Sequence, residues 1–445
     1  METDVAEAVK GKRILVFEEL LQSTGFPDLG VVDELRKGAE LVGVVPETNM
    51  LPGKFVPAPG DTEIDKVIWR TLEEVDMGWL TGPMDADDVP AHHPVSKRFG
   101  LLQKCGKVRL IDEYTESEVN TCVTTMESPI LHTVAVASAA ISFWFGACSE
   151  SGRDPKLQVR TFGLASAYRQ VALSNGGQLF ACIRVFNPEK KRLQFFRNKV
   201  LPFGAVRSVH AFLRLARAIW WIGVAGCRLM WTSFYDDFIS FSQPRLFQST
   251  EITISALFKL LGWIFAEEGE KCVPFSEVCD ALGVSFNLTL SGKGLASVCN
   301  TQARVEELCC DLQRILEEGS LGSKPAQRLR GRMQFAEAQL FGRTGRRCLH
   351  GNKSKLLPKD KFFLSLFVQM LRLLQQNLLR EICATNDKSI LIFTDACYER
   401  NDDTWPWHWG SLVRRLWLSI LLGACGLAWP CCFGRETEKI DYIWN

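Results

Sequence analysis

FYDDF, residues Phe234 to Phe238, is the stretch that decides the fold of this chain. Asp236 and Asp237 lie between aromatic residues, and the composition from Leu229 to Ser240 predicts a β-hairpin with the acids at its tip. Adjacent carboxylates repel, and a bound cation is the usual remedy. Phosphoryl transfer uses such pairs, because two Mg²⁺ ions stabilise the attacking and the leaving oxygens. Taken alone, the pair favours a solvated β-turn, in which aspartate is common.

Segments on both sides of the acidic turn alternate between strands and helices. Apolar periodicity and turn residues give the boundaries of these segments. The segments are a strand passing into a helical turn over Gln158 to Ser174, a hairpin around Asn187-Pro188, a helix over Ser208 to Trp221, a helix over Ile252 to Phe265 and strands over Val278 to Leu288. This order is typical of a split βαβ palm, an antiparallel sheet backed by helices.

The quoted turn and its neighbours, taken in order, resemble the motifs of retrotransposon reverse transcriptases, of the LTR and DIRS-like kind. The matching stretches are RFGLLQKCGKVRLIDEYTESEVN (Arg98 to Asn120), TFGLASAYRQVAL (Thr161 to Leu173), LPFGAVRSVHAFLRLA (Leu201 to Ala216), FYDDF, LLGWIFAEEGEK (Leu260 to Lys271) and ALGVSF (Ala281 to Phe286). The resemblance spans roughly Thr71 to Leu349. One such motif is weak evidence, whereas this many in the right order are strong evidence.

The resemblance implies an α+β right-hand polymerase fold with fingers, an antiparallel-sheet palm, a helical thumb or connection and a partial RNase H-like segment. Glycines and prolines (Pro46, Pro52, Pro57, Pro59) indicate an irregular N-terminal lead-in over 1–65. The domains expected after it are fingers (66–160), palm (161–290), a helical and basic thumb or connection (291–385) and a truncated RNase H-like segment (386–445).

The resemblance also implies roles for residues around the acidic turn. Asp236 and Asp237 would hold two Mg²⁺ ions, and Tyr168 would pack under the sugar and exclude a ribose 2′-hydroxyl. The other implied nucleotide-binding residues are Lys107 and Arg109 on the triphosphate, Gln170, Phe203 and Gly204 around the pocket, and Lys271 near the triphosphate. As alternatives, Tyr168 is a core aromatic and Lys271 a solvated lysine at a helix end.

One position departs from the family pattern. The first palm motif of the family reads Phe-Asp-Leu-Lys-Ser-Ala-Tyr, and here Gly163 stands at the aspartate that bridges both metals. Metal stabilisation of the transition state is worth several kcal/mol, and each ~1.4 kcal/mol is about tenfold in rate. The sequence therefore predicts a retroelement-derived RNA-directed DNA polymerase that is degenerate, with activity lowered by about a thousandfold or more.

A basic segment follows the palm, from Lys324 to Lys355. Its arginines, with very little acid among them, are Arg328, Arg330, Arg332, Arg343, Arg346 and Arg347. This local excess suits a phosphate backbone, although a solvated charged face has the same composition. The partners expected are therefore an RNA or DNA template-primer and deoxynucleoside triphosphates, and no obligate protein partner is implied.

The last part of the chain carries a weaker likeness. ILIFTDACYE (Ile390 to Glu399) resembles the first strand of an RNase H-like domain, with Asp395 as its leading metal ligand. An ordinary buried strand that ends in an Asp turn is the alternative. Nuclease chemistry needs further carboxylates, and those at Glu436, Glu438 and Asp441 come late, so no working nuclease is expected.

Composition and charge limit the remaining possibilities. Lysine plus arginine (52) nearly cancel aspartate plus glutamate (51), so net charge does not indicate a polyanion partner. The 16 cysteines include no CxxC pair, which favours a reduced intracellular setting, nucleus or cytoplasm. The apolar run Ser128 to Cys148 is expected to be a buried helix. Two rival functions stay open: a non-catalytic nucleic-acid-binding relic, and a protein tethered to a membrane by Leu416 to Gly434.

Overall fold

The computed structural model describes residues 9–43, 72–89, 93–102, 108–123, 131–267, 273–338, 358–377 and 380–384, with residues 5, 7, 68 and 106 in isolation. Several predicted features lie outside the described residues: Lys107, Lys271, Arg343, Arg346, Arg347, Asp395 and the apolar run 416–434.

Helices and strands alternate along the described part of the chain, as a mixed α/β fold requires. The helices are α1 (Ile14–Ser23), α2 (Gly30–Lys37), α3 (Leu72–Asp76), α4 (Val134–Ser151), α5 (Asn175–Gln178), α6 (Val206–Trp221), α7 (Phe247–Leu261), α8 (Gln302–Glu318), α9 (Ser323–Ala338) and α10 (Pro358–Asn377). The strands are β1 (Leu80–Met84), β2 (Val95–Leu102), β3 (Val108–Glu113), β4 (Gln158–Gly163), β5 (Cys182–Asn187), β6 (Arg192–Asn198), β7 (Met230–Phe234), β8 (Asp237–Ser242), β9 (Val278–Ala281), β10 (Val284–Asn287), β11 (Leu295–Asn300) and β12 (Arg380–Cys383).

Three sheets organise these strands. A five-stranded sheet has the order β1-β6-β5-β2-β3, a four-stranded sheet the order β12-β11-β10-β9, and a three-stranded sheet the order β4-β8-β7. The three-stranded sheet is antiparallel throughout and contains the β7–β8 hairpin predicted around the acidic pair. The hairpin predicted around Asn187-Pro188 is present as β5–β6, and the strands predicted over Val278 to Leu288 are β9 and β10, which pair in a hairpin. Strands β2 and β3 form a further hairpin.

Alternation along its strands gives the three-stranded sheet two buried faces. Phe162 and Phe238 belong to a core shared with α1, α2, α6 and α7. Ile239 and Phe241 belong to a second core shared with α4 and the four-stranded sheet. Successive side chains of a strand point to opposite faces, and both faces of β8 are apolar, so this sheet lies in the middle of the molecule.

The N-terminal segment corrects one prediction. An irregular lead-in was expected over 1–65, yet the described residues 9–43 form α1 and α2, whose buried side chains join the core on one face of the three-stranded sheet. Arg214 on α6 pairs with Asp28 at 2.8 Å, and Arg207 pairs with Glu34 at 3.0 Å. Burial of one apolar face of each helix decides the structure here, and the prolines that suggested irregularity lie after residue 43.

Helix α4 confirms a predicted helix but not its full burial. Val134, Ala137, Ile141 and Phe145 are buried in the core shared with the three-stranded and four-stranded sheets, whereas Phe143 is 78% exposed. By length and apolar composition, α4 is the one helix in the described ranges that could cross a membrane. This is weak evidence, because core helices of soluble proteins pass the same test.

Helices α8, α9 and α10 pack around a separate core of their own, which includes Leu312, Met333 and Phe367. The chain then returns to the sheet, because β12 pairs with β11 in an antiparallel register that joins Leu295 to Cys383. The region 291–385, expected to be mostly helical, therefore also contributes two strands.

Candidate active-site cleft

Gly163 and the acidic pair are neighbours across two strands. In the antiparallel register of β4 and β8, Gly163 is the partner of Asp237, and the Leu164 N–H donates to the Asp236 carbonyl at 2.9 Å. The two segments are more than 70 residues apart in sequence, so only the fold brings them together. The position predicted to have lost a carboxylate therefore lies directly beside Asp237.

The acidic turn has a constrained backbone. Tyr235 has a φ of +52°, a left-handed conformation that is uncommon and costly for an aromatic residue. Such strain is often found at functional sites, where the surrounding structure holds it in place. Asp237 is exposed and Asp236 is half-buried, so both carboxylates are within reach of a ligand.

The donor set fits a two-metal centre only in part. Within the described residues, no group of three or more His, Cys, Asp or Glu side chains could hold a metal ion. Asp236 and Asp237 offer oxygen ligands of the kind Mg²⁺ prefers, whereas Gly163 offers none. The position at which the resemblance implies a bridging carboxylate therefore supplies no ligand.

A cleft of about 490 Å³ opens beside this point. Gly163 and Asp237 line it from the three-stranded sheet, and Cys279, Asp280 and Gly283 line it from the β9–β10 hairpin. The cleft therefore lies between the acidic pair and the hairpin of the ALGVSF stretch. The resemblance had implied no role for Asp280, and its sequence context gave no signal for one.

Aromatic rings surround Tyr168 behind the acidic turn. The Tyr168 ring lies 4.9 Å from the Phe203 ring and stacks on the Phe212 ring, also at 4.9 Å. The Arg109 guanidinium lies 5.3 Å from the centre of the Phe203 ring. Burial raises the pKa of Tyr168, the nearby Tyr235 and Asp236 raise it further, and Arg109 opposes them. Tyr168, Phe203, Arg109 and the acidic turn therefore come together, and Tyr168 is also a core aromatic.

Gln170 is buried, and its amide is occupied by the protein itself. Its Nε2 donates to the carbonyls of Ala165 and Ile264 at 2.7 and 2.8 Å. Its Oε1 accepts from the Ile264 N–H at 2.9 Å and from Lys12 Nζ at 2.8 Å. With these four bonds, Gln170 fixes the backbone behind Tyr168. A direct contact with a nucleotide stays a prediction.

Gly204 is required by a close backbone approach. Its φ is +106°, and a Cβ atom at this position would overlap the carbonyl oxygen of Asp112 on β3. Asn120 clamps the same loop, because its Nδ2 donates to the Gly204 carbonyl at 3.0 Å and its Oδ1 accepts from the Val206 N–H at 2.8 Å. Gly204 was predicted to let backbone approach a base pair. In the structure, the backbone that lies close to Gly204 is that of β3.

A charge network joins the five-stranded sheet to the segment of Tyr168 and was not foreseen from the sequence. Arg98 donates to both carboxylate oxygens of Asp112, at 2.6 and 3.1 Å, and to Glu74 at 2.8 Å. Arg169, the residue after Tyr168, donates to the same Glu74 at 3.0 Å and to Asn198 at 2.8 Å. The network therefore ties α3, β3 and β6 to the segment that carries Tyr168.

Of the three described arginines of the predicted basic segment, Arg332 forms ion pairs, and none is seen for Arg328 or Arg330 in the described part of the chain. Arg332 is committed to ion pairs with Asp311 and Glu307 on α8. Arg328 is exposed and Arg330 half-buried, and no ion pair of either is recorded in the described part of the chain. Arg304, which the sequence did not single out, stacks on Phe335 at 4.2 Å and lies against Gly283 of the β9–β10 hairpin.

The fold is similar to solved structures of a foamy viral protease-reverse transcriptase in complex with double-stranded DNA. One has a TM-score of 0.50 and 15% identity, and the match covers 84% of this chain and 74% of that one. The other, of the dRH form, has a TM-score of 0.48 and 16% identity over 81% of this chain. The chain spans 60% of the length of that second protein.

No family model matches the sequence, and no curated protein matches it either. At this identity the likeness concerns the fold alone. The chain has a reverse-transcriptase-like fold, with the acidic turn and Gly163 side by side in its three-stranded sheet.

Proposed function

We propose that this chain is a retroelement-derived RNA-directed DNA polymerase whose phosphoryl-transfer centre is impaired at residue 163. The observation that carries the proposal is the register of β4 and β8, which pairs Gly163 with Asp237. A carboxylate at this position would be adjacent to the acidic turn, and glycine removes it without changing the strand. The fold supports template-primer binding, and the absence of a carboxylate at residue 163 is the reason for the proposed loss of nucleotidyl transfer.

The residues that surround the cleft have distinct roles in this proposal. Asp236 and Asp237 hold Mg²⁺, which when bound stabilises the attacking and leaving oxygens of nucleotidyl transfer. Arg109, together with Lys107 and Lys271, neutralises the triphosphate of the incoming deoxynucleotide. Tyr168 packs under the sugar, where its ring excludes a 2′-hydroxyl.

Restoring the carboxylate tests the proposal directly. Gly163 ends an extended strand and does not have a positive φ, so an aspartate fits its backbone conformation. Gly163→Asp is expected to raise primer extension on an RNA template by about a thousandfold or more, at several kcal/mol of transition-state stabilisation. Gly163→Asn, which has nearly the same shape and no charge, is the matched control. Equal extension by the Gly163, Asn and Asp forms would refute the proposal.

Nucleic-acid binding without catalysis is the second candidate, and the combination of Gly163 with the exposed Arg328 and the half-buried Arg330 on α9 favours it. Arg328→Ala and Arg330→Ala are each expected to weaken primer-template binding and to reduce its salt dependence by roughly one counterion. Arg332→Ala removes the same charge, but from an existing ion pair, and is the matched control. Salt titrations of binding to a labelled duplex measure this, and equal losses for all three variants would argue against a nucleic-acid surface on this helix.

A further inference from the structure

Strand β7 leads into the acidic turn and is an edge strand of the three-stranded sheet. In an antiparallel ladder, backbone groups point alternately toward the partner strand and away from it. The Ser233 N–H and the Trp231 carbonyl are on the side of β7 that faces away from β8. Unpaired edge groups of this kind are normally left to water or to another strand.

Side chains occupy both of these groups. The Ser233 N–H donates to His132 Nδ1 at 3.1 Å. Trp220 Nε1–H donates to the Trp231 carbonyl at 2.8 Å, and Trp231 Nε1–H donates to the Trp220 carbonyl at 3.0 Å. The His132 and Trp220 rings contact each other edge to face, with centroids 4.4 Å apart. These two outward-facing backbone groups of β7 are therefore hydrogen-bonded to side chains of the loop before α4 and of α6.

The contact with Ser233 fixes the protonation of His132. A backbone N–H can only donate, so Nδ1 must be the unprotonated nitrogen and the proton lies on Nε2. An imidazolium has no acceptor and cannot make this bond. Burial lowers the pKa of His132 below its ordinary value, and Arg217, a charged residue on α6, lowers it further. Both influences favour the neutral ring that the geometry requires.

We infer that His132, as the Nε2–H tautomer, is a positioning residue that fixes β7 and thereby the orientation of the Asp236–Asp237 turn three residues further on. Its consequence for catalysis rests on the proposed function. Protonation of the ring would place a donor against the Ser233 N–H and break the bond. The acidic turn would then lose one of its anchors as the pH falls.

The first test concerns the hydrogen bond itself and needs no activity. In protein labelled with ¹⁵N-histidine, Nδ1 of His132 is expected to give the signal of an unprotonated ring nitrogen at pH 7. His132→Leu is expected to speed exchange of the Ser233 amide by about tenfold, the usual effect of one hydrogen bond. His132→Asn keeps an acceptor near the position of Nδ1 and should retain the protection. A protonated Nδ1, or unchanged Ser233 exchange in His132→Leu, would overturn the inference.

The second test joins the inference to function in protein that also carries Gly163→Asp. In the Gly163→Asp protein with His132 intact, primer extension should fall with pH as His132 becomes protonated. When His132→Asn is added, this dependence of primer extension on pH should be lost. His210→Asn, the same change at a histidine on α6, should leave the pH profile as it was. A profile unaffected by His132→Asn would contradict the positioning role. If Gly163→Asp shows no extension at any pH, the proposed function fails, and the exchange of the Ser233 amide still decides the role of His132.

Discussion

Arg98 grips the carboxylate of Asp112 with two hydrogen bonds, and both side chains are 1% exposed. Glu74, which is 18% exposed, and the buried Arg169 complete a group of two positive and two negative charges. Such a group is stabilised only while every charge has its partner. Asp112 is also the residue whose carbonyl meets Gly204, so the ion pair and the close approach at Gly204 meet on one stretch of β3.

Removing the charge of Asp112 should therefore be severe. Asp112→Asn leaves two buried guanidinium groups with one carboxylate, and the expected loss is about 3–5 kcal/mol in the free energy of unfolding. Glu116→Gln also breaks an ion pair, with Arg184, but Glu116 is 63% exposed. That control should cost at most ~1 kcal/mol. Urea denaturation measures both, and similar midpoints for the two variants would show that the buried network is not a major source of stability.

The close approach at Gly204 predicts a strong effect of a single methyl group. Gly204→Ala combines left-handed strain of about 1–2 kcal/mol with overpacking against Asp112 of about 1–3 kcal/mol. Gly294 also has a positive φ, +71°, but open space surrounds its Cβ position. Gly294→Ala should therefore show the strain alone. Thermal melts of the two variants separate these contributions, and an equal fall in Tm would mean that the loop at 204 adjusts freely.

Lys12 predicts a pH dependence of stability. Its ammonium contacts the Trp263 ring and two oxygens, but burial lowers its pKa to about 7 from 10.5. The folded state thus loses the proton at lower pH than the unfolded state. Below pH 7 both states are charged and the full cost of burial is present, and above 10.5 the cost is gone.

The free energy of unfolding should therefore rise between pH 7 and 10.5, with a contribution from Lys12 approaching ~1.4 kcal/mol per pH unit. Lys12→Met should remove that contribution and be more stable than the parent at pH 6.5. Urea midpoints at pH 6.5 and 9.0 provide the measurement, with Lys10→Met, an exposed neighbour, as the control. The same slope in Lys12→Met and the parent would exclude Lys12 as its source.

The paired indoles of Trp220 and Trp231 predict a further loss of stability. Trp220→Phe removes the donor to the Trp231 carbonyl and should cost about 1–3 kcal/mol, because that buried group is left without its bond. Trp79→Phe is the control, since no indole hydrogen bond of Trp79 is recorded in the described ranges. Chemical denaturation compares them, and a smaller effect at 220 than at 79 would mean that water replaces the lost bond.

Local patterns predicted the elements around the site well. The hairpin at Asp236 and Asp237 follows from alternating residues on either side of a short turn, and α6 from its apolar periodicity. The pairing of Gly163 with Asp237 could be expected only from the order of the motifs, because no local signal links residues so far apart. The order of the motifs therefore led to the expected pairing of Gly163 with Asp237, and the local periodicity predicted the strands and helix around it.

Long-range contacts account for what was missed. The partners Glu74 and Arg169 are 95 residues apart, and the side chains at His132 and Ser233 are 101 apart, so neither pair has a signature in the sequence. The structural role of Gln170 was missed for the same reason, because its partners come from residues 12 and 264. The helices of residues 9–43 were missed because their burial depends on α6 and α7.

The pairing of β11 with β12 makes the three-helix unit of α8, α9 and α10 a removable module. The chain enters this unit from β11 and returns from it to β12, the antiparallel neighbour of β11 in the same sheet. A short β-turn could therefore replace the residues between Asn300 and Arg380. The remaining sheet would keep its strand order. An insertion attached in this way can be exchanged for another of different length or charge while the strands that carry it are unaltered, so the helical unit and the three-stranded sheet with the acidic turn can vary independently.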